Sequence, residues 1–365
     1  MTVGFVGSVR NLPGWVEAVI IGIGSRLLAL AALTIAWATG IPAPLGPPSS
    51  SPIIIWDSQW YIRIATQGYH AVPVIQTGFG TGYHDFAFFP LYPGLIAALS
   101  LGGRLPVEIV APAISNVLFV LALIPIRIVL ERAFDRRIGR FGLLLFAFSP
   151  AAYVYSLAYS EPVFLVIAGL FFVTNGPVKG FVLGVLAGIS RLAFGALAAA
   201  SLADLVDPRT RLRGFAAVGG MALGFGAWWV YISILTQDFW GYMLGIPYWH
   251  STDSPTGAPT GLASILAVNH PIVVITVTFS VAIAIGSLAL FRRGEYRLGL
   301  YSAACFAMSW LTTWSSMPRL LAIAFPAFAA LAAILPTDRV RWLMVGISAV
   351  LMCAFGALAV AGFVP

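Results

Sequence analysis

The apolar positions of this chain fall in long unbroken runs, not in the one-sided stripes of soluble helices. Runs of roughly 16 to 25 residues recur from Trp15 to Val364, separated by short charged or Pro/Gly-rich connections. A helix needs about 20 apolar residues to cross a bilayer, and inside lipid only helices and closed barrels satisfy their own backbone. The pattern predicts an all-α polytopic membrane protein, with residues 1–365 forming a single integral membrane domain. The first run, residues 15–38, is too long for a signal-peptide core and reads as an uncleaved span.

The polar positions between the runs set the expected topology. Arginines gather in four places: Arg132, Arg136, Arg137 and Arg140; Arg209, Arg211 and Arg213; Arg292, Arg293 and Arg297; Arg339 and Arg341. Short loops rich in arginine stay cytoplasmic. With Arg10 inside, residues 15–38 exit, and the loop 40–86 is external. Successive runs at 107–130, 141–156, 162–174, 215–236, 272–291, 298–313 and 320–335, and a last one beyond Arg341, then alternate, giving about nine full transmembrane helices. The loop 237–270 is a second external segment.

Two runs do not fit that alternation. Residues 86–101 are interrupted by Pro90 and Pro93 and read as a re-entrant or interfacial element. Residues 181–205 lie between Lys179 and the Arg209 cluster, which both belong in the cytoplasm, so they read as two half-helices turning near Ser190-Arg191. On this arrangement Glu131, Asp135, Asp204, Asp207, Glu295 and Asp338 are solvated partners of cytoplasmic arginines. Asp57, Asp85, Glu108, Glu161, Asp238 and Asp253 lie on the external side, where the chemistry is expected.

Composition sharpens this picture. The chain is 60% hydrophobic and 9% charged, with a mean hydropathy of +0.94. Ordinary soluble domains carry about a quarter charged residues. The net charge of +7 follows from the arginine clusters and is a topology signal, so no nucleic-acid partner is expected. Cys305 and Cys353 lie inside apolar runs and support neither a disulfide framework nor a metal cluster. His70, His84, His250 and His270 lack metal-ligand spacing, and no metal or cofactor is expected. There is no Gly-rich phosphate loop ending in Lys-Ser/Thr, no His-Glu-x-x-His helix and no Gly-x-Ser-x-Gly elbow.

In so apolar a chain the acids without a membrane-edge role stand out. Asp57 lies in Trp56-Asp57-Ser58-Gln59-Trp60-Tyr61, just before a helical-looking stretch. It reads either as a helix N-cap or as a general base in an interfacial cleft. Trp56, Trp60 and Tyr61 read either as an interfacial aromatic belt or as the lining of a sugar or lipid site. His84-Asp85 precedes the re-entrant run, and Tyr159-Ser160-Glu161 sits at an external turn, where Glu161 suits either a helix start or a site. Arg191 is an intramembrane arginine, costing about 2.5–3.5 kcal/mol to insert and needing a cavity or an anionic partner. Arg319 presents the same choice, with snorkelling to the interface as its plainer role. Both arginines suit a phosphate clamp. His250, in Tyr248-Trp249-His250, belongs to a polar aromatic loop that forms either an acceptor wall or an ordinary connection.

Trp56-Asp57-Ser58 with Gly68-Tyr69, His84-Asp85-Phe86-Ala87-Phe88-Phe89-Pro90 with Pro93, Tyr159-Ser160-Glu161 and Gly188-Ile189-Ser190-Arg191 resemble, in order and spacing, the PIG-V family of mannosyltransferases. The resemblance covers about residues 50–200, with Met317-Pro318-Arg319 familiar beyond it. It implies a C-type glycosyltransferase fold, a polyprenyl-phosphate-mannose donor and an acid in the first external loop as base, where Asp57 sits. Together with the arginine topology, it leads to the expectation of a multi-pass enzyme of the plasma membrane acting on the external, periplasmic side. A single lysine, Lys179, among 20 basic residues suggests a GC-rich bacterial genome, which makes a phosphatidylinositol mannoside, a lipoglycan or another envelope glycan a better acceptor than a GPI anchor. The rival class is a lipid-linked sugar flippase or secondary transporter; such proteins usually carry two related halves, and no convincing internal repeat is visible here.

Overall fold

The computed structural model describes residues 13–40, 51–76, 80–243, 271–311 and 316–362. Five of the described helices are long and apolar enough to cross a membrane: α1 (Gly14–Ala38), α4 (Val107–Ala133), α9 (Arg211–Thr236), α10 (Pro271–Arg292) and α14 (Asp338–Val360). The expectation of about nine full crossings is not met by helix length. Runs 141–156 and 162–174 form α5 (Arg136–Ala147) and α6 (Glu161–Val173), of 12 and 13 residues. Run 298–313 gives the 14-residue α11 (Tyr296–Ser309), and 320–335 splits into α12 (Met317–Ala322) and α13 (Phe325–Ile334). At 1.5 Å per residue a 13-residue helix is about 20 Å long, short of the roughly 30 Å hydrocarbon core. Two of these runs break beside prolines: Pro150 follows α5, and Pro326 opens α13 after a break at Ile323-Ala324.

The first external segment builds a small structure of its own. Its helix α2 (Ser58–Gln67) leads to an antiparallel strand pair, β1 (Val74–Gln76) and β2 (Gly80–Tyr83). A 3₁₀ turn at Asp85–Ala87 and helix α3 (Leu91–Leu99) follow. Nine residues cannot cross a bilayer, so the run 86–101 is a partial element. Its prolines start the helix instead of interrupting it: Pro90 is the N-cap and Pro93 lies in the first turn, where the missing N–H has no intrahelical partner to lose.

The run 181–205 also divides, into α7 (Pro177–Gly188) and α8 (Phe194–Val206), with Ile189 to Ala193 between them. Because α8 runs back, α7 and α9 lie parallel and in close contact. Glycines make the seam. A Cβ on Gly184 would collide with the Ala217 carbonyl, and one on Gly188 would come within 2.5 Å of the Met221 carbonyl. The two partial elements meet where the Leu91 N–H donates to the Ile189 carbonyl at 3.1 Å.

The basic clusters share one end of the bundle. Arg137 pairs with Asp338 at 2.6 Å, Arg293 lies over the Phe134 ring at 4.7 Å, and Arg132 donates to the Val173 carbonyl at 3.3 Å. Asp204 corrects the expectation of a solvated surface acid. It is buried between Arg213 and Arg297, because the hairpin tucks the end of α8 under the start of α9. At mid-bundle, Arg26 of α1 satisfies the Ala152 carbonyl at 2.7 Å and Ser156 Oγ at 2.9 Å, where a second 3₁₀ turn (Ala152–Ser156) leaves backbone groups unused. Its guanidinium lies 4.3 Å from the centroid of Phe119, within an aromatic core that includes Tyr155 and Phe146.

Candidate active site

Asp57 occupies the N-cap position of α2 but does not cap it; its side chain makes no hydrogen bond to the helix start. The carboxylate turns away and takes a 2.5 Å bond from Arg319 Nη1. One helical turn on, the Tyr61 hydroxyl shares a 2.7 Å hydrogen bond with Ser160 Oγ. That serine precedes Glu161, the first residue of α6, which is almost fully buried. Glu161 Oε1 lies 2.8 Å from Arg191 Nη1 and 3.4 Å from Arg319 Nε. Two carboxylates and two guanidiniums therefore alternate in one cluster: Asp57, Arg319, Glu161, Arg191.

The surrounding backbone fixes these groups. Arg191 stands in the break between α7 and α8, which the glycine seam and the Leu91–Ile189 hydrogen bond hold in place. Arg319 lies in the short α12, its guanidinium 5.1 Å from the centroid of the buried Tyr159 ring. The carbonyl of Tyr159 accepts from Ser115 Oγ at 2.9 Å, and that serine in turn meets the Tyr92 hydroxyl at 2.7 Å. Each charged group thus sits at a helix end tied into the core.

All four charges and Tyr61 line one cavity of about 460 Å³. Its remaining wall is apolar, including Leu192 and Ala193 at the start of α8, Met308 and Leu311 at the end of α11, and Leu320 and Ile323 around α12. Phe88, Phe89 and Tyr242 close another side. The cavity joins a charged end to an oily one. Glu161 starts α6, whose other end carries Val173 beside Arg132, so the charged cluster lies about 20 Å from the basic end of the bundle.

The other sequence candidates take different places. Trp60 is fully buried and stacked on Phe88 at 5.7 Å, behind the cavity wall. Trp56 donates its indole N–H to the Ala359 carbonyl at 3.0 Å. The adjacent His84-Asp85 pair is not a dyad. Asp85 instead accepts from the ring of His70 at 2.8 Å and from its backbone N–H at 3.2 Å, because the strand pair folds residue 70 back over the 3₁₀ turn. Burial pushes the Asp85 carboxyl above its usual range, against the pull of His70; burial also lowers the His84 imidazole. His84 packs on the Phe86 ring at 4.5 Å. Neither residue is among those lining the cavity, and they brace the turn that presents Phe88 and Phe89. His250 lies outside the described residues. Sequence reasoning missed His70, which stands 15 residues from its acid, and Cys305, Tyr242 and the aliphatic wall, which look like any span residue. Among the described residues, no three His, Cys, Asp or Glu side chains gather as a metal site.

Comparison with known proteins adds a family. The model described as Mannosyltransferase (PIG-V) matches residues 49–200, the stretch that carries Asp57, Tyr61, Glu161 and Arg191. Over that stretch the chain is similar to the PIG-V mannosyltransferases. The chain also shares its fold with solved structures. ArnT from Cupriavidus metallidurans, crystallised with undecaprenyl phosphate, aligns with a TM-score of 0.53 at 15% identity, over 89% of this chain and 62% of its own. The oligosaccharyltransferase of Archaeoglobus fulgidus, in a complex with zinc and sulfate, aligns with a TM-score of 0.50 at 13% identity, over 94% of this chain and 52% of its own. The chain therefore spans about three fifths and one half of these two proteins, and at such identities the likeness is one of fold. No curated protein matches the chain.

Proposed function

We propose that the chain is a membrane mannosyltransferase that moves mannose from a polyprenyl-phosphate-mannose donor to a hydroxyl of a lipid or envelope-glycan acceptor. The observation that carries this reading is the single cavity in which an acid, two arginines and an aliphatic wall meet. The charged end suits a sugar phosphate and the apolar end a polyprenyl chain. The separation between this cluster and the basic end supports a site on the external face, since arginine-rich ends stay cytoplasmic.

In this reading Asp57 takes the proton from the acceptor hydroxyl. The acceptor oxygen then bonds to the anomeric carbon from the side opposite the phosphate. The bond from that carbon to the phosphate oxygen breaks, and its electron pair leaves with polyprenyl phosphate. Inversion converts a β-linked donor into an α-mannoside. A phosphate monoester needs little protonation to depart, so one carboxylate suffices, unlike the acid–base pair of glycosidases.

The pairing of Asp57 with Arg319 gives the arginine a timed role. While Asp57 is ionised, Arg319 is its partner. When Asp57 accepts the proton it loses its charge, just as the departing phosphate gains its second. Arg319 is then free to bond to the phosphate, while Glu161 remains as counter-ion between the two arginines. Tyr61 holds the start of α6 through Ser160, and the aromatic walls face the sugar.

The test is transfer of labelled mannose from the lipid-phosphate donor by purified protein in lipid nanodiscs. Asp57→Asn is expected to lower turnover by about 10²–10⁴-fold, with donor binding nearly unchanged. Near-normal turnover in that variant would remove Asp57 as the base.

A further inference from the structure

Trp56 is one of three non-glycine residues with positive φ among the described residues, at φ 51°, and it directly precedes Asp57. For a bulky side chain the left-handed region is unfavourable, and such a residue persists only where its surroundings hold it. Here the holder is visible. The indole N–H donates to the Ala359 carbonyl at 3.0 Å, in the last turn of α14 and 303 residues further along the chain. That end of α14 is well seated: Met352, Phe355 and Ala359 are buried, and Gly356 faces Leu33 of α1 and Cβ of Tyr153. Tyr153 belongs to the 3₁₀ turn that leads on toward Glu161.

The backbone direction at Trp56 decides where Asp57 points. The left-handed residue reverses the chain between the buried Ile55 and the start of α2, and the Ser58 N–H closes the turn on the Ile55 carbonyl at 3.1 Å. With this turn in place, Asp57 sits at a helix start yet aims its carboxylate at Arg319 instead of its own helix.

We infer that Trp56 is a positioning residue for the base. The last helix holds the left-handed turn through the indole hydrogen bond, and so fixes the Asp57 carboxylate relative to Glu161 and the two arginines. This replaces the expectation that Trp56 lines the substrate site. It rests on the proposed role of Asp57.

The experiment removes the hook in three ways. Trp56→Phe keeps a ring and loses the N–H. Replacing Trp56 with benzothienylalanine keeps the bicyclic shape and loses only the N–H. Trp56→Gly allows positive φ without strain but has no hook. Single-turnover mannose transfer, donor affinity and thermal unfolding are measured for each, with Asp57→Asn alongside. The benzothienyl and Phe variants are expected to transfer mannose at least fivefold more slowly, with donor affinity within twofold of wild type and unchanged unfolding. Trp56→Gly is expected to lose as much, since freedom at φ does not replace the anchor. Should Phe fail to fold, the benzothienyl isostere alone decides. Wild-type transfer by the isostere, or full activity in Trp56→Gly, overturns the inference. So does a loss that appears wholly as weaker donor binding or lower stability. If Asp57→Asn itself keeps wild-type turnover, the base reading has failed; if only the Trp56 variants are active, the anchor alone has.

Discussion

The charged residues of the cavity make sense only as a set. Removing any one alters the charge balance of the buried partners that remain, so a loss of activity in a single variant does not by itself name a role. Leaving-group dependence separates the roles. Arg319→Ala is expected to lower turnover by about 10²–10³-fold, and a mannosyl donor with a more acidic leaving group should recover more of that loss than it does for Asp57→Asn. Equal recovery in both variants would count against the handover of Arg319 from acid to phosphate. Much of this set was legible in the sequence: Asp57, Glu161, Arg191 and Arg319 are polar residues without a membrane-edge explanation. Their pairing was not. Arg319 lies 262 residues from Asp57, and no spacing rule links the two. Trp60 and His84 were ambiguous for the opposite reason: aromatic and imidazole side chains serve packing as readily as binding, and the fold buries both outside the cavity lining.

At the scale of elements, the half-helix pair α7 and α8 was readable because charge at both flanks forbade a crossing. What the sequence concealed was the parallel packing of α7 on α9. Its signal is present, as Gly180, Gly184 and Gly188 recur every fourth residue and Gly220 and Gly224 answer them, but glycine is also common in membrane helices that pack elsewhere. The seam positions Arg191, so it should be intolerant of bulk. Gly184→Leu is expected to destabilise the fold by about 3 kcal/mol or more, seen as a lower unfolding temperature and yield in detergent, whereas Gly219→Leu should be near neutral because nothing lies within 4 Å of its added Cβ. Equal stability of the two variants would refute the seam. The short helices read as full spans because hydropathy counts apolar residues and does not see where prolines and turns cut them; five described helices reach spanning length.

For the whole molecule, the arrangement separates two ends: arginine clusters at one, the charged cavity at the other. That makes orientation measurable. In a Cys353→Ser background, Arg104→Cys in the exposed turn between α3 and α4 is expected to react with a membrane-impermeant maleimide added to intact cells. Arg136→Cys, exposed at the basic end, should react only after permeabilisation. The reverse result would place the cavity on the cytoplasmic side and exclude the external reaction.

The parallel seam also constrains biogenesis. Helices α7 and α8 have 12 and 13 residues, so each is about 20 Å long and too short to remain in the bilayer alone. Neither can settle until the ribosome has delivered α9, whose glycines cover the first of them. A chain stalled near residue 207 would hold its future arginine clamp on an unfinished hairpin, a form that quality-control proteases should recognise.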